Sequence, residues 1–428
     1  MTETIFAQLK RIVPSRWHWV LEHEGFRRYF ANTGWLFGGQ LVNLGLSFII
    51  GVWVARHLGP ANYGVLNYAL GLAGIFGFLA IFGIDNILSR ELIRRPQEGK
   101  TLLGSALVAK AIGGLLAFGA SVSLAFVVGA SPLIKLLVAI YALSYIFQPL
   151  NLLSSFFQAR VEARYNVKAQ VWANIISSAM KVAWIFSGAG VIYLMAIYLL
   201  DSLFNIVFLW IIYWRHKENI FGWRFNYKAF WYLFRSGWPL LLSGAATFML
   251  FKIDQVMIGK MMGEVEVGLY AAAAKLSEVW HFIPTILCSS LFPAIINAKT
   301  IGDKIYRLRV RNFFILMATL SLIIVIPIFF LAKLLITYLF GPDYLLALPV
   351  LRIHVFSSIG IFMGYAVTQY LIAENRETDV FRGYAWGAVI NIGLNLWLIP
   401  LLGISGAAIS TLVAYSVLPV YAWTKRKL

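Results

Sequence analysis

Nine ionisable side chains, Asp85, Lys110, Lys181, Asp201, Lys252, Asp254, Lys275, Glu278 and Arg352, lie inside long apolar stretches of a 428-residue chain. Ionisable groups at membrane depth are costly and face a bundle interior or a wet cavity. Lys110, Lys181, Lys252, Lys275 and Arg352 form a slightly cationic set. It suits the path of an anionic cargo, because a cleft with low-dielectric walls concentrates opposite charge. Asp85, Asp201, Asp254 and Glu278 are candidates for ion coupling or gating. Uncharged polar residues extend the pattern into stripes at helical spacing: Gln40, Asn43 and Ser47; Gln148, Asn151 and Ser155; Asn174, Ser178 and Lys181; Asp201 and Asn205; Asn391 and Asn395. Residues three, four and seven apart share a helix face, so Gln40, Asn43, Asn174, Asn391 and Asn395 are candidates for lining a cavity. The competing reading is structural. Such stripes also join helices by hydrogen bonds of about 0.6 to 2 kcal/mol, and Lys275 with Glu278 could be a neutralised internal pair.

Other chemistry is missing from the sequence. Six histidines (His18, His23, His57, His216, His281, His354) show no metal-ligand spacing. Cys288 is the single cysteine and sits in an apolar run, where an inert thiol is expected. Gly99-Lys100-Thr101 has the ending of a phosphate-binding loop, but Arg94 stands where its leading glycine belongs. No catalytic residue, metal or cofactor is therefore expected, leaving a coupling ion, H+ or Na+, as the one small partner.

The elements that must position the polar groups follow from composition. The chain is 60% hydrophobic and 13% charged, with a mean hydropathy of +0.77; soluble domains are roughly 25% charged. About twelve runs are long enough to cross a hydrocarbon core of roughly 30 Å as helices: residues 32–55, 64–88, 102–129, 132–158, 169–188, 191–214, 237–259, 266–296, 312–336, 346–373, 380–401 and 404–424. Pro132, Pro239, Pro284, Pro293 and Pro327 are expected to kink or end helices. Alternating ten-residue strands are absent, which excludes a barrel. The basic, aromatic stretch before the first run does not read as a cleavable signal.

A net charge of +18 invites a nucleic-acid partner, but its distribution speaks against one. Twenty-seven of the 36 lysines and arginines fall in alternate connections, among them 89–100, 215–235 and 298–311. Excess Lys and Arg mark the cytoplasmic side, so both termini are predicted inside, as an even number of spans requires. Two stretches also repeat. Gly34-Trp35 leads to Arg56 and Gly59-Pro60-Ala61-Asn62-Tyr63-Gly64; Gly237-Trp238 leads to Lys260 and Gly263-Glu264-Val265-Glu266-Val267-Gly268. The offset is 203 at the tryptophans and 204 from the basic residue onward. The reading is an all-α polytopic membrane protein of two parallel six-helix lobes around a central cavity. The lobes would span 32–214 and 237–428, with an interfacial segment at 1–31 and a cytoplasmic linker at 215–236.

Leu58-Gly59-Pro60-Ala61-Asn62-Tyr63-Gly64, Ile253-Asp254-Gln255-Val256-Met257-Ile258-Gly259, Val267-Gly268-Leu269-Tyr270-Ala271-Ala272-Ala273, Lys275-Leu276-Ser277-Glu278, Phe282-Ile283-Pro284 and Leu402-Gly403-Ile404-Ser405-Gly406-Ala407-Ala408 together resemble a known family. They are similar to polysaccharide-export flippases of the multidrug/oligosaccharidyl-lipid/polysaccharide exporter superfamily. The resemblance implies twelve helices, a cavity open to one side at a time, and a lipid-linked oligosaccharide carried across a bacterial inner membrane, driven by an ion gradient. It also implies polysaccharide polymerase and chain-length proteins as partners. Cell-wall precursor flippases of that superfamily carry two further C-terminal helices, so an O-antigen or exopolysaccharide repeat unit is the expected cargo. A drug/cation antiporter of the same superfamily is the alternative, with a membrane-embedded polymerase or ligase behind it. The acidic residues of the second half, with no counterparts in the first, suggest that the coupling chemistry lies there.

Overall fold

The structure, a computed structural model, describes residues 24–216, 222–374 and 376–424. Most of the expected interfacial segment 1–31 and part of the linker 215–236 lie outside these residues. Within them the chain is helical, with no strand among the described residues. Nine helical segments are long and apolar enough to cross a membrane, counted over the described residues.

The first helix shows how nine segments relate to the expected twelve runs. Helix α1 (Glu24–Gly74) is 51 residues long, about 75 Å at 1.5 Å per residue and more than twice the hydrocarbon thickness. It is two helices meeting at Gly59, whose φ of 68° and ψ of 171° are not helical. The corresponding break between α9 (Tyr227–Met261) and α10 (Glu264–Glu278) falls at Gly263, with φ 121° and ψ 179°. Both are conformations that a Cβ disfavours. Helix α7 (Ala163–Ser187) and the run formed by α10 and α11 (Phe282–Ile301) fall outside the nine. Polar residues lower the mean hydropathy of α7, and α10 is only 15 residues long.

Two expectations about boundaries are corrected. The run 64–88 is not one helix: α1 stops at Gly74, α2 covers Gly77–Ile81, and α3 begins at Asp85 after Phe82 and Gly83, both at positive φ. A broken helix in lipid must have its freed backbone groups satisfied. Here the Ala73 carbonyl accepts from Tyr145 Oη at 3.0 Å and Ser121 Oγ at 3.2 Å. Second, of the two effects expected, Pro239 and Pro327 do not end their helices but lie inside α9 and α12 (Asp303–Leu335). Each removes one bond of the ladder, and the helix continues through it. Pro132 does open α5 (Pro132–Phe147), capped by Ser131 Oγ.

The remaining helices are α4 (Gly99–Val127), α6 (Leu153–Ala159), α8 (Val191–Arg215), α13 (Leu348–His354), α14 (Ser357–Ala373), α15 (Glu377–Leu402) and α16 (Ile404–Thr424). α1 packs on α7 and α5, and α7 on α8, while α9 packs on α15 and α15 on α16. Across the two sets, α1 makes extensive contact with α10.

That contact is reciprocal. A Cβ on Gly64 would overlap the Glu264 carbonyl, and a Cβ on Gly268 would overlap the Pro60 carbonyl. Pro60 with Glu264, and Gly64 with Gly268, are the pairs related by the 204-residue offset. Residue i meeting j while their equivalents meet the other way round is what a two-fold axis produces. Two polar contacts obey the same relation. Arg56 Nη1 donates to the Tyr338 carbonyl at 3.0 Å, and Lys260 Nζ donates to the Val128 carbonyl at 2.6 Å. Val128 ends α4 and Tyr338 lies in the π turn Ile336–Phe340 that ends α12. Each equivalent cation thus caps a helix C-terminus in the other half, where the helix dipole favours positive charge.

The glycine-turn end has one core for both halves, with Ala55, Leu66 and Leu72 packed in the same cluster as Val267, Tyr270, Val325 and Val350. Toward the other end the core divides. One cluster joins Leu88, Leu103, Phe157 and Leu209 with Leu233 at the start of α9; another holds Tyr306, Phe313, Met317 and Phe362 of the second half. The second half is also stitched at that end by Glu374, which accepts from Tyr306 Oη at 2.7 Å and Lys299 Nζ at 3.0 Å. The tyrosine hydroxyl, ahead of the lysine, holds the Glu374 carboxyl below the usual carboxylate range.

Candidate functional site

A cavity of about 530 Å³ opens within the first half, bordering the shared core through Leu70, Tyr141 and Tyr198. The polar stripes converge on it helix by helix. α1 contributes Asn43 and Ser47, α5 contributes Ser144, α7 contributes Gln170 and Asn174, and α8 contributes Asp201, Ser202 and Asn205; Gln148, just past α5, joins them. Tyr141, Tyr145 and Tyr198 supply aromatic surface. From the second half, α9 adds Phe248 and Lys252. Part of the wall is the broken helix itself, with Gly74, Gly77, Ala80 and Ile81 in the lining. A Cβ on Gly77 would press on Phe248 and Tyr145, so the small residues at the break make the room.

Within the stripes some polar atoms are used for packing. Asn174 Nδ2 donates to the Asn43 side-chain oxygen at 3.1 Å and to Ser47 Oγ at 3.2 Å, tying α7 to α1. Asn43 Nδ2 and Asn205 Oδ1 have no hydrogen-bond partner. The two readings of the stripes therefore both apply: Asn174 joins helices through its hydrogen bonds, and the same residues line the cavity.

A second polar centre is packed inside the second half. Asp254 is 2% exposed. Its Oδ1 accepts from Asn395 Nδ2 at 2.6 Å, and its Oδ2 accepts from Tyr270 Oη at 2.9 Å and Thr411 Oγ1 at 2.5 Å. Asn391 Oδ1 in turn accepts from Asn395 Nδ2 at 3.0 Å. No lysine or arginine forms an ion pair with Asp254 among the described residues. Asn391 Nδ2 and Asn395 Oδ1 are buried without partners. Four helices, α9, α10, α15 and α16, thus surround one carboxylate with oxygen-bearing side chains. Two turns of α10 further on, Ser277 Oγ meets His354 Nδ1 at 2.6 Å, which places His354 in a buried structural contact.

The other candidates take separate positions. Lys110 is buried and paired with Asp85 at 2.7 Å, an oxygen that also accepts from Ser155 Oγ at 3.2 Å. Both stand outside the cavity wall and brace α3 against α4. Lys181 lies with its Nζ 4.5 Å from the centre of the Tyr198 ring. Lys275 Nζ lies against Gly51 of α1, where a Cβ would overlap it, and has Lys181 and Lys252 as electrostatic neighbours. Three lysines from α7, α9 and α10 therefore gather between the halves. Glu278 is half-buried. Arg352 is exposed, 5.6 Å from the Phe329 ring centre, and Gln40 is exposed on α1 outside the cavity lining.

Sequence reasoning missed several participants. Gln170 lies one turn before Asn174 on the same stripe and was within reach of the spacing rule, as was Ser202 beside Asp201. Tyr270 and Thr411 gave no polar periodicity of their own. The helix break at Gly74 to Gly83 had a signal in its four glycines, Gly71, Gly74, Gly77 and Gly83, which hydropathy averages away.

Comparison with known proteins agrees with this architecture. The family described as polysaccharide biosynthesis protein matches residues 29–299, more than half of the chain. A Shigella flexneri protein named as an O-antigen transporter is 24% identical over 311 residues, covering 68% of this chain and 72% of that protein. A Haloferax volcanii protein named as the low-salt glycan biosynthesis flippase Agl15 is 25% identical over 411 residues, covering 93% and 81%. Among solved structures, a multidrug resistance MATE family transporter in an inward-facing conformation aligns with a TM-score of 0.76 at 16% identity, covering 90% of this chain and 94% of that one. The lipid II flippase MurJ in an inward closed conformation aligns at 0.70 and 16%, covering 93% and 88%.

Proposed function

The chain belongs to the polysaccharide biosynthesis protein family, and on that premise we propose that it is a flippase. Its cargo is a polyprenyl-pyrophosphate-linked oligosaccharide repeat unit, moved from the cytoplasmic to the outer face of a bacterial inner membrane. The observation that carries this reading is a polar cavity lying behind a seal. Both halves share one core at the glycine-turn end, and the cavity borders that core through Leu70, Tyr141 and Tyr198. With basic connections marking the cytoplasm, the sealed end is the outer one and both termini are inside. Alternating access then consists of breaking the reciprocal contacts at Gly64 and Gly268 while the opposite end closes. The lobes are 32–214 and 237–428, joined by 215–236, which make up twelve spans.

Two further assignments go with this reading. Lys181 and Lys275, which lie outside the cavity lining, attract the diphosphate. Asp254, ringed by Asn391, Asn395, Tyr270 and Thr411 and lacking a basic partner, is the site where H+ or Na+ couples to transport. Oxygen donors of this kind suit a hard cation. Polymerase and chain-length proteins take up the delivered unit.

The test is transport in proteoliposomes of a labelled polyprenyl-diphosphate oligosaccharide, read by its accessibility to an impermeant glycosidase. Gradient-dependent exposure of the glycan is expected. Extrusion of cationic dyes with no movement of the lipid would replace the reading by the drug/cation antiporter, for which the unpaired acid Asp254 is the favouring observation.

A further inference from the structure

We propose that the cavity of the first half is a subsite for uncharged, hydroxyl-bearing sugar residues, read by side-chain carboxamides, and that it is not the site of the cargo's charged diphosphate. The inference rests on the flippase reading and adds where the glycan is recognised and by what chemistry.

The lining decides the ligand class. Five carboxamides, Asn43, Gln148, Gln170, Asn174 and Asn205, come from three helices and the turn after α5. Each carboxamide offers donors and an acceptor side by side, which matches neighbouring hydroxyls on a sugar ring, where every group both donates and accepts. Tyr141 and Tyr198 give flat apolar surface for the C–H face of a pyranose. The two ionisable lining residues, Asp201 and Lys252, cancel in sign. An anionic site would need an excess of cations, and Lys181, Lys275 and Arg352 are all outside the lining. An apolar drug is a poor occupant for the opposite reason, as eight amide and hydroxyl side chains would lose water without replacement. A volume of about 530 Å³ lies in the range of small-molecule sites.

The halves have diverged accordingly. Asn43 corresponds across the repeat to Ala246 or Thr247, and Ser47 to Leu250 or Phe251, according to where the single insertion falls. The polar face of α1 that lines the cavity is thus largely apolar in α9, and the second half spends its buried polarity on the Asp254 network instead.

The experiment compares three synthetic lipids on the purified full-length protein by native mass spectrometry: polyprenyl diphosphate, its neutral disaccharide conjugate, and a conjugate with one hexuronic acid. The wild type is expected to bind the neutral conjugate more tightly than the sugar-free lipid. Gln148→Ala with Asn205→Ala should reduce that gain about tenfold, as two lost hydrogen bonds predict, and should act much less on the sugar-free lipid. Gln170→Ala is exposed, so its smaller loss is free of any folding defect, and thermal melts check both variants. Equal weakening of all three lipids, or tighter binding of the acidic conjugate, would overturn the proposal. Wild-type transport with no sugar-dependent gain refutes the subsite and leaves the flippase standing. A gain without transport of any conjugate refutes the flippase and keeps the subsite.

Discussion

Asp254 is the residue at which the two readings of buried polarity diverge. Three donors converge on its carboxylate, and a hydrogen bond to a charged group contributes about 1.5 to 3 kcal/mol. As packing alone, the arrangement would be an expensive way to join four helices, since an apolar set of the same shape is often as stable. An asparagine there keeps the shape but turns an amide donor toward Asn395, Tyr270 or Thr411. Asp254→Asn is expected to lower stability by about 2 kcal/mol and to abolish gradient-driven transport, while lipid-linked glycan still binds. Thr411→Val removes one donor and leaves the charge, so it should cost stability and retain part of the transport. Asp254→Asn proteoliposomes that still follow the gradient at the wild-type rate would remove Asp254 from coupling. Lys110 and Asp85 show the other case: the buried lysine is answered by a partly exposed carboxylate.

At the scale of elements, what was legible depended on whether a feature is local. The turns at Gly59 and Gly263 could be read because a positive φ asks for glycine at a fixed place, and the basic residues before them, Arg56 and Lys260, because charge is rare at that depth. The break between Gly74 and Asp85 was not, because a hydropathy window registers composition and not the Ala73 carbonyl held by Tyr145 and Ser121. Nor could the stripes say which of them meet. Rotation of each helix about its axis settles that, which is why Gln40 turned outward while Gln170 reached the cavity. The two cation caps join elements from opposite halves, and each should contribute about 0.3 to 1 kcal/mol to the sealed state. Arg56→Ala or Lys260→Ala is expected to raise maleimide labelling of a cysteine placed at Ala61, with the double variant raising it further. Since Cys288 is the single native cysteine, Cys288→Ser supplies the background. Labelling unchanged in the double variant would mean that the caps do not hold the seal, and Arg56→Lys should restore it if they do.

For the whole molecule, the consequence of the repeat is that equivalent insults must have equivalent effects. Gly64 and Gly268 lie on either side of one pseudo-two-fold, each pressed to a backbone carbonyl of the other half. The atoms that a new side chain would meet are main-chain atoms of Glu264 and Pro60, which cannot swing aside as a side-chain end would. A valine at either glycine must therefore move one half against the other, and the seal is the contact that separates. The cavity lining includes neither glycine, whereas Tyr270 belongs both to the shared core and to the Asp254 network. Gly64→Val and Gly268→Val are expected to produce the same change: higher labelling at Ala61, lower transport because one end no longer closes, and little loss of helix content by circular dichroism. The cavity and the Asp254 network are unlike between halves, whereas the seal is alike, so symmetry in the response belongs to the seal alone. If Gly64→Val opened the outer end and Gly268→Val merely unfolded the second half, the halves would not close on one another as equivalents, and the two-fold reading of the transport cycle would have to be abandoned.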